Sequence, residues 1–295
     1  MTDAVIQTIT PVTHDLGAFE VRRAIPSRER TMVGPFIFVD QFGPADLPEG
    51  GGMQVRPHPH INLATVTWLF EGAIDHRDSL GSVATIRPGQ VNLMTAGRGI
   101  VHSERSPSSE QDGTGKLYGM QTWLALPDGR EDIDPAFESR SDLPLIEAGG
   151  AQARVIMGSL WGETAATTQH VHTIYAEIVL APGGQIPLDD TADERAVMLV
   201  GGAAHVDGRD LGLYELTVLK PGVSLKLVSQ TGGRVMLLGG EAFATPRHVW
   251  WNFVSSSRER INQAKEDWQA GRFPVVPGDP EFIPLPRIAK TVSYP

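Results

Sequence analysis

The feature that most constrains this chain is a succession of short apolar or alternating runs, each closed by glycine or proline. The 295 residues include 32 glycines and 22 prolines, which are spread along the chain rather than collected in a linker. Runs rich in β-branched and aromatic residues between such turns are typical of short strands. Examples are NLATVTWLF (62–70), TIYAEIVLAPG (173–183) and RVMLLGG (234–240). The pattern predicts an all-β protein built as a sandwich or barrel.

One helix is expected near the C-terminus. Ser256 and Glu259 fit a capping box, an amphipathic segment follows, and Gly271 suits the helix end. The spacing predicts that the face from Ile261 to Trp268 packs on a barrel. The segment after Gly271 is too rich in proline for regular structure, and we expect it to run across the surface of the molecule.

The two halves of the chain look like copies of one unit. In each half a strand ends at a glycine, Gly72 or Gly202, a polar turn follows, and a Pro-Gly turn separates the next two strands. The acidic stretch DGREDIDPAFESRSD separates the two copies. The repeat therefore predicts an N-terminal domain over residues 1–140 and a C-terminal domain, with the helix and tail, over residues 141–295.

Composition and charge exclude several classes of protein. The net charge is −10 and no Lys/Arg-rich block is present, which disfavours direct nucleic-acid binding. No run approaches the roughly 20 apolar residues that span a bilayer. The N-terminal segment lacks the basic and apolar regions of a secretory signal, so the cytoplasm is the expected location. Because cysteine is absent, any metal must be bound by His, Asp or Glu.

Two pairs of residues with i, i+2 spacing are candidate metal ligands. His58 and His60 lie in RPHPHIN, and His102 and Glu104 lie in GIVHSE. Alternate side chains of a strand lie on one face, so each pair can reach a single ion. Three imidazoles and a carboxylate suit a divalent ion of iron, nickel, copper, manganese or zinc. An isolated His-x-His is more often structural, so the hypothesis depends on both pairs.

A second His-x-His, at His170 and His172, is an internal control. No His-x-Glu follows it at the matching place, and we interpret it as a loop or strand start. The residues that the repeat puts at the four ligand positions are Leu188, Asp190, Val235 and Leu237. The second copy is therefore predicted to bind no metal. The other histidines are interpreted as turn or packing residues: His14, His76, His205 and His248.

Four segments of the N-terminal half carry a family resemblance: GPFIFVDQFGP, RPHPHINLATVTWLFEGAIDHRDSLG, PGQVNLMTAGRGIVHSE and GMQTWLALP. Together they resemble the pirin family of the cupin superfamily. The cupin motif G-x5-HxH-x3,4-E-x6-G is matched at Gly52, at both histidines and at Gly72, but Thr65 stands at the glutamate position. As in pirins, Glu104 is expected to supply the carboxylate. The C-terminal half resembles the second cupin of the family less closely, and RHVWWNFVSSSRERI departs from the commonest family ending.

The resemblance implies two tandem cupin β-barrels and one divalent metal per chain. Fe(II) is the expected ion, with Ni, Cu, Mn or Zn as alternatives. It also implies flavonol 2,3-dioxygenase (quercetinase) activity, which uses O2 and an aromatic substrate. In that reaction Glu104 would take the hydroxyl proton of the substrate as general base. The candidate pocket residues are Phe36, Phe38, Trp68, Met94 and Met120, with Gln121 as a hydrogen-bonding neighbour.

The same resemblance leaves a second class of function open. Pirins include non-enzymatic, metal-dependent regulators that bind a transcription factor or a metabolic enzyme. The fold and site would be the same, so sequence does not separate the two. A cavity large enough for a three-ring flavonol would favour catalysis, and a closed or surface-facing metal site would favour regulation. A sugar-isomerase or storage cupin is disfavoured because it lacks the HRDSxG and HSE signatures.

Overall fold

The computed structural model describes residues 4–15, 19–47, 52–107, 115–287 and 291–294, and these ranges form mainly short β-strands. The strands up to residue 140 are β1 (Val5–Ile9), β2 (Val12–Asp15), β3 (Glu20–Ile25), β4 (Phe36–Asp46), β5 (Gln54–His60), β6 (Leu63–Gly72), β7 (Ile74–Asp78), β8 (Val83–Ile86), β9 (Val91–Thr95), β10 (Ile100–Arg105), β11 (Lys116–Ala125) and β12 (Ala136–Arg140). The later strands are β13 (Leu145–Ala148), β14 (Ala151–Met157), β15 (Ser159–Leu160), β16 (Glu163–Thr164), β17 (Thr173–Leu180), β18 (Gln185–Leu188), β19 (Glu194–Gly202), β20 (His205–Val206), β21 (Arg209–Asp210), β22 (Leu216–Leu219), β23 (Leu225–Val228), β24 (Gly233–Gly240), β25 (Arg247–Trp250), β26 (Phe253–Ser255) and β27 (Val292–Tyr294). A helix, α1 (Arg258–Gln269), follows β26.

Two compact units divide the chain. The C-unit comprises residues 1–12, 22–38 and 142–243, and the N-unit comprises residues 13–21, 39–141 and 244–295. The change of unit after residue 141 lies beside the boundary expected at residue 140. The terminal segments differ from that expectation, because the helix and the Pro-rich tail cluster with the N-unit instead of the C-unit. A division of the sequence into two consecutive halves could not indicate this exchange.

Each unit is organised around a larger and a smaller β-sheet. In the N-unit the strand orders are β12-β9-β6-β11-β4-β3-β2 and β5-β10-β7-β8, although residues 22–25 of β3 and 36–38 of β4 cluster with the C-unit. In the C-unit they are β1-β22-β19-β24-β17-β14-β13 and β18-β23-β20-β21. Neighbouring strands pair in antiparallel fashion, as expected for strands joined by short turns. The fold is therefore an all-β pair of cupin-type units with a C-terminal helix.

The two sheet pairs repeat one topology, and this corrects part of the alignment made from sequence. By position in its sheet, β10 corresponds to β23, whereas β24 corresponds to β11. The repeat had placed the counterparts of His102 and Glu104 on β24. At the ladder end of β18 and β23 the facing residues are instead Leu188 and Leu225, both buried and apolar. Glycine spacing misled the alignment because the turns in the second copy differ in length.

The helix begins at Arg258, and its N-cap lies one residue later than the capping pattern indicates. Ser257, and not Ser256, is the N-cap, and its hydroxyl accepts a 3.2 Å hydrogen bond from the Arg260 amide. Ser256 instead donates its hydroxyl to Glu131 at 2.5 Å. The described helix is neither long nor apolar enough to cross a membrane.

The helix packs on the N-unit. Ile261 and Ala264 are fully buried in an apolar cluster with Val101 and Phe253, whereas Trp268 is only partly buried at its edge. Val101 immediately precedes His102 on β10, so its side chain lies on the opposite face of the strand. The helix therefore supports the outer face of a strand whose inner face carries candidate metal ligands.

Candidate metal centre

Strand pairing brings the three candidate histidines together. β5 and β10 are antiparallel neighbours, and their register places His58 opposite His102. His58, His60 and His102 are buried, and one ring nitrogen from each lies within 4.8 Å of the others. The i, i+2 spacing on β5 supplies two imidazoles to one face, and the neighbouring strand supplies the third. Among the described residues, these three histidines form the group whose ligand atoms lie close enough together to bind one metal ion. His170 and His172 are not part of it.

The hydrogen bonds of the histidines select the tautomer that can bind a metal. His58 Nδ1 lies 2.9 Å from the Arg56 carbonyl oxygen, and His60 Nδ1 lies 3.2 Å from the Asn252 carbonyl oxygen. A carbonyl can only accept, so each Nδ1 donates its proton and each Nε2 keeps a lone pair. His60 Nε2 lies 3.1 Å from His102 Nε2. At this distance either one ring donates its proton to the other or both nitrogens bind one cation, so the arrangement fits a bound cation.

The protonation of the cluster also fits metal binding. Burial, partly offset by the Arg56 hydrogen bond, lowers the pKa of His58 to about 4. Burial and the neighbouring imidazoles lower the pKa of His60 and His102 well below the usual histidine range. All three rings are therefore neutral at pH 7, and neutral imidazole is the form that coordinates metals.

Glu104 lies beside this cluster in a different environment. A register shift in the β10–β5 ladder falls between His102 and Glu104. The buried Glu104 carboxylate accepts a 2.7 Å hydrogen bond from Gln121 Nε2. Burial raises the pKa of Glu104, and the hydrogen bond from Gln121 partly opposes that rise. Glu104 does not belong to the group of three histidines, so its ligation of a metal stays a prediction.

A fourth imidazole, interpreted from sequence as turn or packing, completes one wall of the site. His76 on β7 pairs across the strands with Glu104, and its ring stacks on Phe137 with 4.4 Å between centroids. Its Nε2 donates to Asp78 Oδ2 at 3.2 Å. Asp78 is fully buried and also accepts from the Leu80 amide at 2.9 Å, which fixes the pair. The HRDSxG motif contains both residues, but only the β7–β10 register shows that His76 lies beside Glu104.

The register of β6, β9 and β11 divides the remaining pocket candidates between two faces. Gln121 pairs with Thr67 and contacts Glu104, so that face of the sheet is the site face. Met94 pairs with Thr65, two residues from Thr67, and therefore lies on the site face as well. Trp123 also pairs with Thr65, and its ring centroid lies 5.0 Å from that of His60. Sequence reasoning missed Trp123 because aromatic residues on buried strands carry no local signal of function.

Two candidate pocket residues point away from the site. Trp68 and Met120 pair with each other, one position out of phase with the site face, so they point to the opposite side of the sheet. Phe36 and Phe38 cluster with the C-unit, where Phe36 contacts Tyr175 edge-on, and their place in a substrate pocket stays a prediction. Hydrophobicity alone could not assign the faces, because these strands are buried on both sides.

The C-terminal segment of the N-unit contributes the hydrogen-bond partner of His60. Asn252 lies in the turn between β25 and β26, and its carbonyl oxygen faces His60 Nδ1. The buried Arg247 anchors this hairpin by donating to the Leu126 carbonyl oxygen at 2.9 Å and pairing with Asp128 at 2.9 Å. Because a backbone carbonyl has no residue-type signature, the sequence carried no signal for this contact.

Comparisons with known proteins agree with this geometry. The family model described as Pirin matches residues 18–124, and the Pirin C-terminal cupin domain matches residues 175–274. A pirin-like protein from Caulobacter vibrioides is 47% identical over 278 residues, which cover 92% of this chain and 96% of the relative. The crystal structure of a quercetin 2,3-dioxygenase from Acinetobacter baumannii has a TM-score of 0.89 and 36% identity, with 96% of each chain covered.

A more distant structure shares the fold. The bacterial pirin YhhW from Escherichia coli, in complex with nickel(II), has a TM-score of 0.65 and 18% identity, with 80% of this chain and 99% of that chain covered. The two family models together match the two copies of the repeated sheet pair, and the Caulobacter relative extends over nearly the whole length of the chain. The chain therefore belongs to the pirin family of cupins.

Proposed function

We propose that this protein is a metal-dependent dioxygenase that uses O2 to cleave a flavonol, as a quercetin 2,3-dioxygenase does. The observation that carries the proposal is the convergence of three neutral imidazoles beside a buried carboxylate held by Gln121. The similarity to the Acinetobacter baumannii quercetin 2,3-dioxygenase supports it.

The donor set suits a divalent transition metal, with Fe(II) as the expected ion. His58, His60 and His102 would hold it through Nε2, and Glu104 would add a carboxylate oxygen. The bound metal would lower the pKa of a substrate hydroxyl and bring O2 beside the substrate. Asn252 and Arg56, through their carbonyl oxygens, keep two of the rings in the coordinating tautomer.

Glu104 is the residue suited to move a proton. Its burial raises its pKa towards the working pH, which makes it a better base than an exposed carboxylate. The Gln121 hydrogen bond holds Oε1, and Oε2 would accept the hydroxyl proton of the substrate when this oxygen is not bound to the metal. No histidine of the cluster can serve as readily, since each would use an Nε2 lone pair to hold the metal.

The walls of the site suit a planar aromatic substrate. Met94 and Trp123 lie on the site face, and Phe137 pairs with Met94 and stacks on His76. These apolar side chains would hold aromatic rings and exclude water from the carboxylate, which strengthens its electrostatic interactions.

The test is an aerobic quercetin assay on protein reconstituted with Fe(II), in parallel with metal analysis. Wild type should bind one ion per chain and consume quercetin and O2 in equal amounts. His58→Ala should lose both metal and activity, whereas the matched control His172→Ala should keep both. Wild type that is fully metallated yet inert with every flavonol would contradict the enzymatic proposal and favour a regulatory role.

A further inference from the structure

Asn92 on β9 is a buried amide without an evident structural role. Its side chain belongs to a residue that is 3% exposed, and neither Oδ1 nor Nδ2 has a hydrogen-bond partner among the described residues. Buried side-chain polar atoms in folded proteins are nearly always paired. Leaving a buried donor or acceptor unpaired costs about 1–3 kcal/mol. Because both polar atoms of Asn92 are unpaired, a ligand that hydrogen-bonds to them would recover this free energy twice.

The strand register shows where this amide points. Asn92 pairs with Thr67 on β6, and Thr67 pairs with Gln121 on β11. Directly paired residues of antiparallel strands lie on the same face, so Asn92 shares the site face with Gln121, the partner of Glu104. Two interstrand spacings separate Asn92 from Gln121 along this row, a backbone distance of roughly 10 Å. A ligand that meets both residues extends beyond a single six-membered ring.

We propose that Asn92 is a specificity-determining residue that binds a hydroxyl group on the substrate ring remote from Glu104. This inference rests on the proposed dioxygenase function and names the residue that recognises the remote ring of its substrate. A phenolic hydroxyl can donate to Oδ1 and accept from Nδ2, so it satisfies both atoms of the amide. Met94, two residues along the same strand, supplies the apolar contact for the ring that carries the hydroxyl.

The specificity follows from the burial of the amide. A site built around a buried polar group rejects analogues that lack the matching group, because the amide then stays unpaired in the complex. Quercetin carries ring hydroxyls in addition to its 3-hydroxy-4-oxo end, whereas 3-hydroxyflavone has that end alone. Wild type should therefore bind quercetin more tightly than 3-hydroxyflavone, and Asn92 should account for the difference.

The experiment measures anaerobic binding of both compounds to zinc-loaded protein, together with the melting temperature of the metal-free protein. Asn92→Leu keeps the side-chain shape but removes both polar atoms. It should raise the Kd for quercetin about 10–100-fold, leave that for 3-hydroxyflavone unchanged, and leave the melting temperature unchanged or higher, because an unpaired amide is gone. Asn92→Ala, which cannot clash with its neighbours, should lose the same preference for quercetin.

Thr122→Val is the matched control. The Thr122 hydroxyl is also buried without a partner among the described residues, but Thr122 lies next to Gln121 and so faces the opposite side of the sheet. This variant should also melt at the wild-type temperature or above, and it should keep the wild-type preference for quercetin.

Three results would overturn the role of Asn92. The first is that both Asn92 variants keep the wild-type preference for quercetin over 3-hydroxyflavone. The second is that Thr122→Val loses this preference as well. The third is that wild type binds neither compound. The proposed function has a separate failure: iron-loaded wild type that binds and discriminates the flavonols yet does not oxidise quercetin. That result would contradict the dioxygenase and leave the ligand contact of Asn92 supported.

Discussion

Gln121 Nε2 donates a 2.7 Å hydrogen bond to Glu104 Oε1, and the same amide nitrogen lies 3.4 Å from Thr67 Oγ1. Gln121 and Thr67 are cross-strand partners on β11 and β6, whereas Glu104 comes from β10 of the other sheet. A buried carboxylate beside three histidines is thus held in place from the sheet opposite. This contact makes the role of Glu104 separable from that of the imidazoles.

Glu104→Gln should reduce turnover far more than metal content. The three imidazoles are positioned by contacts that do not involve Glu104, and the amide retains a coordinating oxygen. It is a much poorer base, so we expect a loss of about 100-fold or more in kcat with most of the metal retained. Metal analysis and quercetin turnover on the same sample measure both quantities. Glu71→Gln, an exposed glutamate on β6, is the control. Metal-bound Glu104→Gln with the wild-type rate would exclude the general-base role.

The metal-free protein should lose stability as the pH falls from 7 to 5. His58 has a folded pKa of about 4, below its unfolded value of 6.5. Between these values the unfolded chain binds a proton that the folded chain does not, so acidification favours unfolding. His58 alone accounts for about 2 kcal/mol at pH 5, and His60 and His102 act in the same direction. Well above pH 6.5 the three histidines are neutral in both the folded and the unfolded chain, so they no longer change the free energy of unfolding with pH.

Thermal melts of chelator-treated protein at pH 7.5, 6 and 5 measure this loss. His58→Gln, which cannot bind a proton in this range, should show a shallower decline than wild type. Equal declines in the two proteins would mean that His58 is protonated in the folded state, contrary to its burial.

Sequence reasoning succeeded where the physical signal is local. The His-x-His pair and the helix depend on residues close in the chain, and the structure brings His58 and His60 together with His102, whereas metal ligation by them and by Glu104 stays a prediction. It failed where strand register determines which face of the sheet a side chain occupies. Trp68 and Trp123 are equally apolar in sequence, yet only Trp123 lies on the site face. The contribution of Asn252 required a segment nearly two hundred residues away to pack beside His60.

Ile261→Ala should destabilise the N-unit by about 2–5 kcal/mol, because the residue is fully buried in the cluster under α1 and truncation leaves a cavity.

Trp268→Ala should lower the free energy of unfolding by less than truncation of a fully buried tryptophan would, since the Trp268 ring is partly exposed. The variant also loses the 3.0 Å hydrogen bond from Nε1 to the Ile283 carbonyl oxygen. Gln263→Ala on the exposed face of the helix is the control. Chemical denaturation measures all three, and an unchanged midpoint for Ile261→Ala would show that the helix does not stabilise the unit.

Arg247→Met should weaken metal binding, although Arg247 is not one of the candidate metal ligands. The guanidinium is 1% exposed and holds the hairpin whose turn presents the Asn252 carbonyl to His60. Its loss leaves the buried Leu126 carbonyl oxygen without its donor, at a cost of about 1–3 kcal/mol, whereas Asp128 is half exposed and stays solvated. A loosened hairpin no longer fixes the His60 tautomer. Loss of such an outer contact typically lowers metal affinity about 10–100-fold.

Zinc titration at a temperature where the variant stays folded measures this effect. Arg272→Met, which removes a half-exposed arginine paired with Asp267, should leave both stability and affinity near wild type. If Arg247→Met is destabilised but binds zinc as tightly as wild type, the Asn252 carbonyl does not control His60. If it loses affinity while His60 Nδ1 keeps its proton, as imidazole NMR would show, the hairpin acts on the site by another route. The proposed chain from Arg247 through Asn252 to His60 requires both the weaker binding and the altered tautomer.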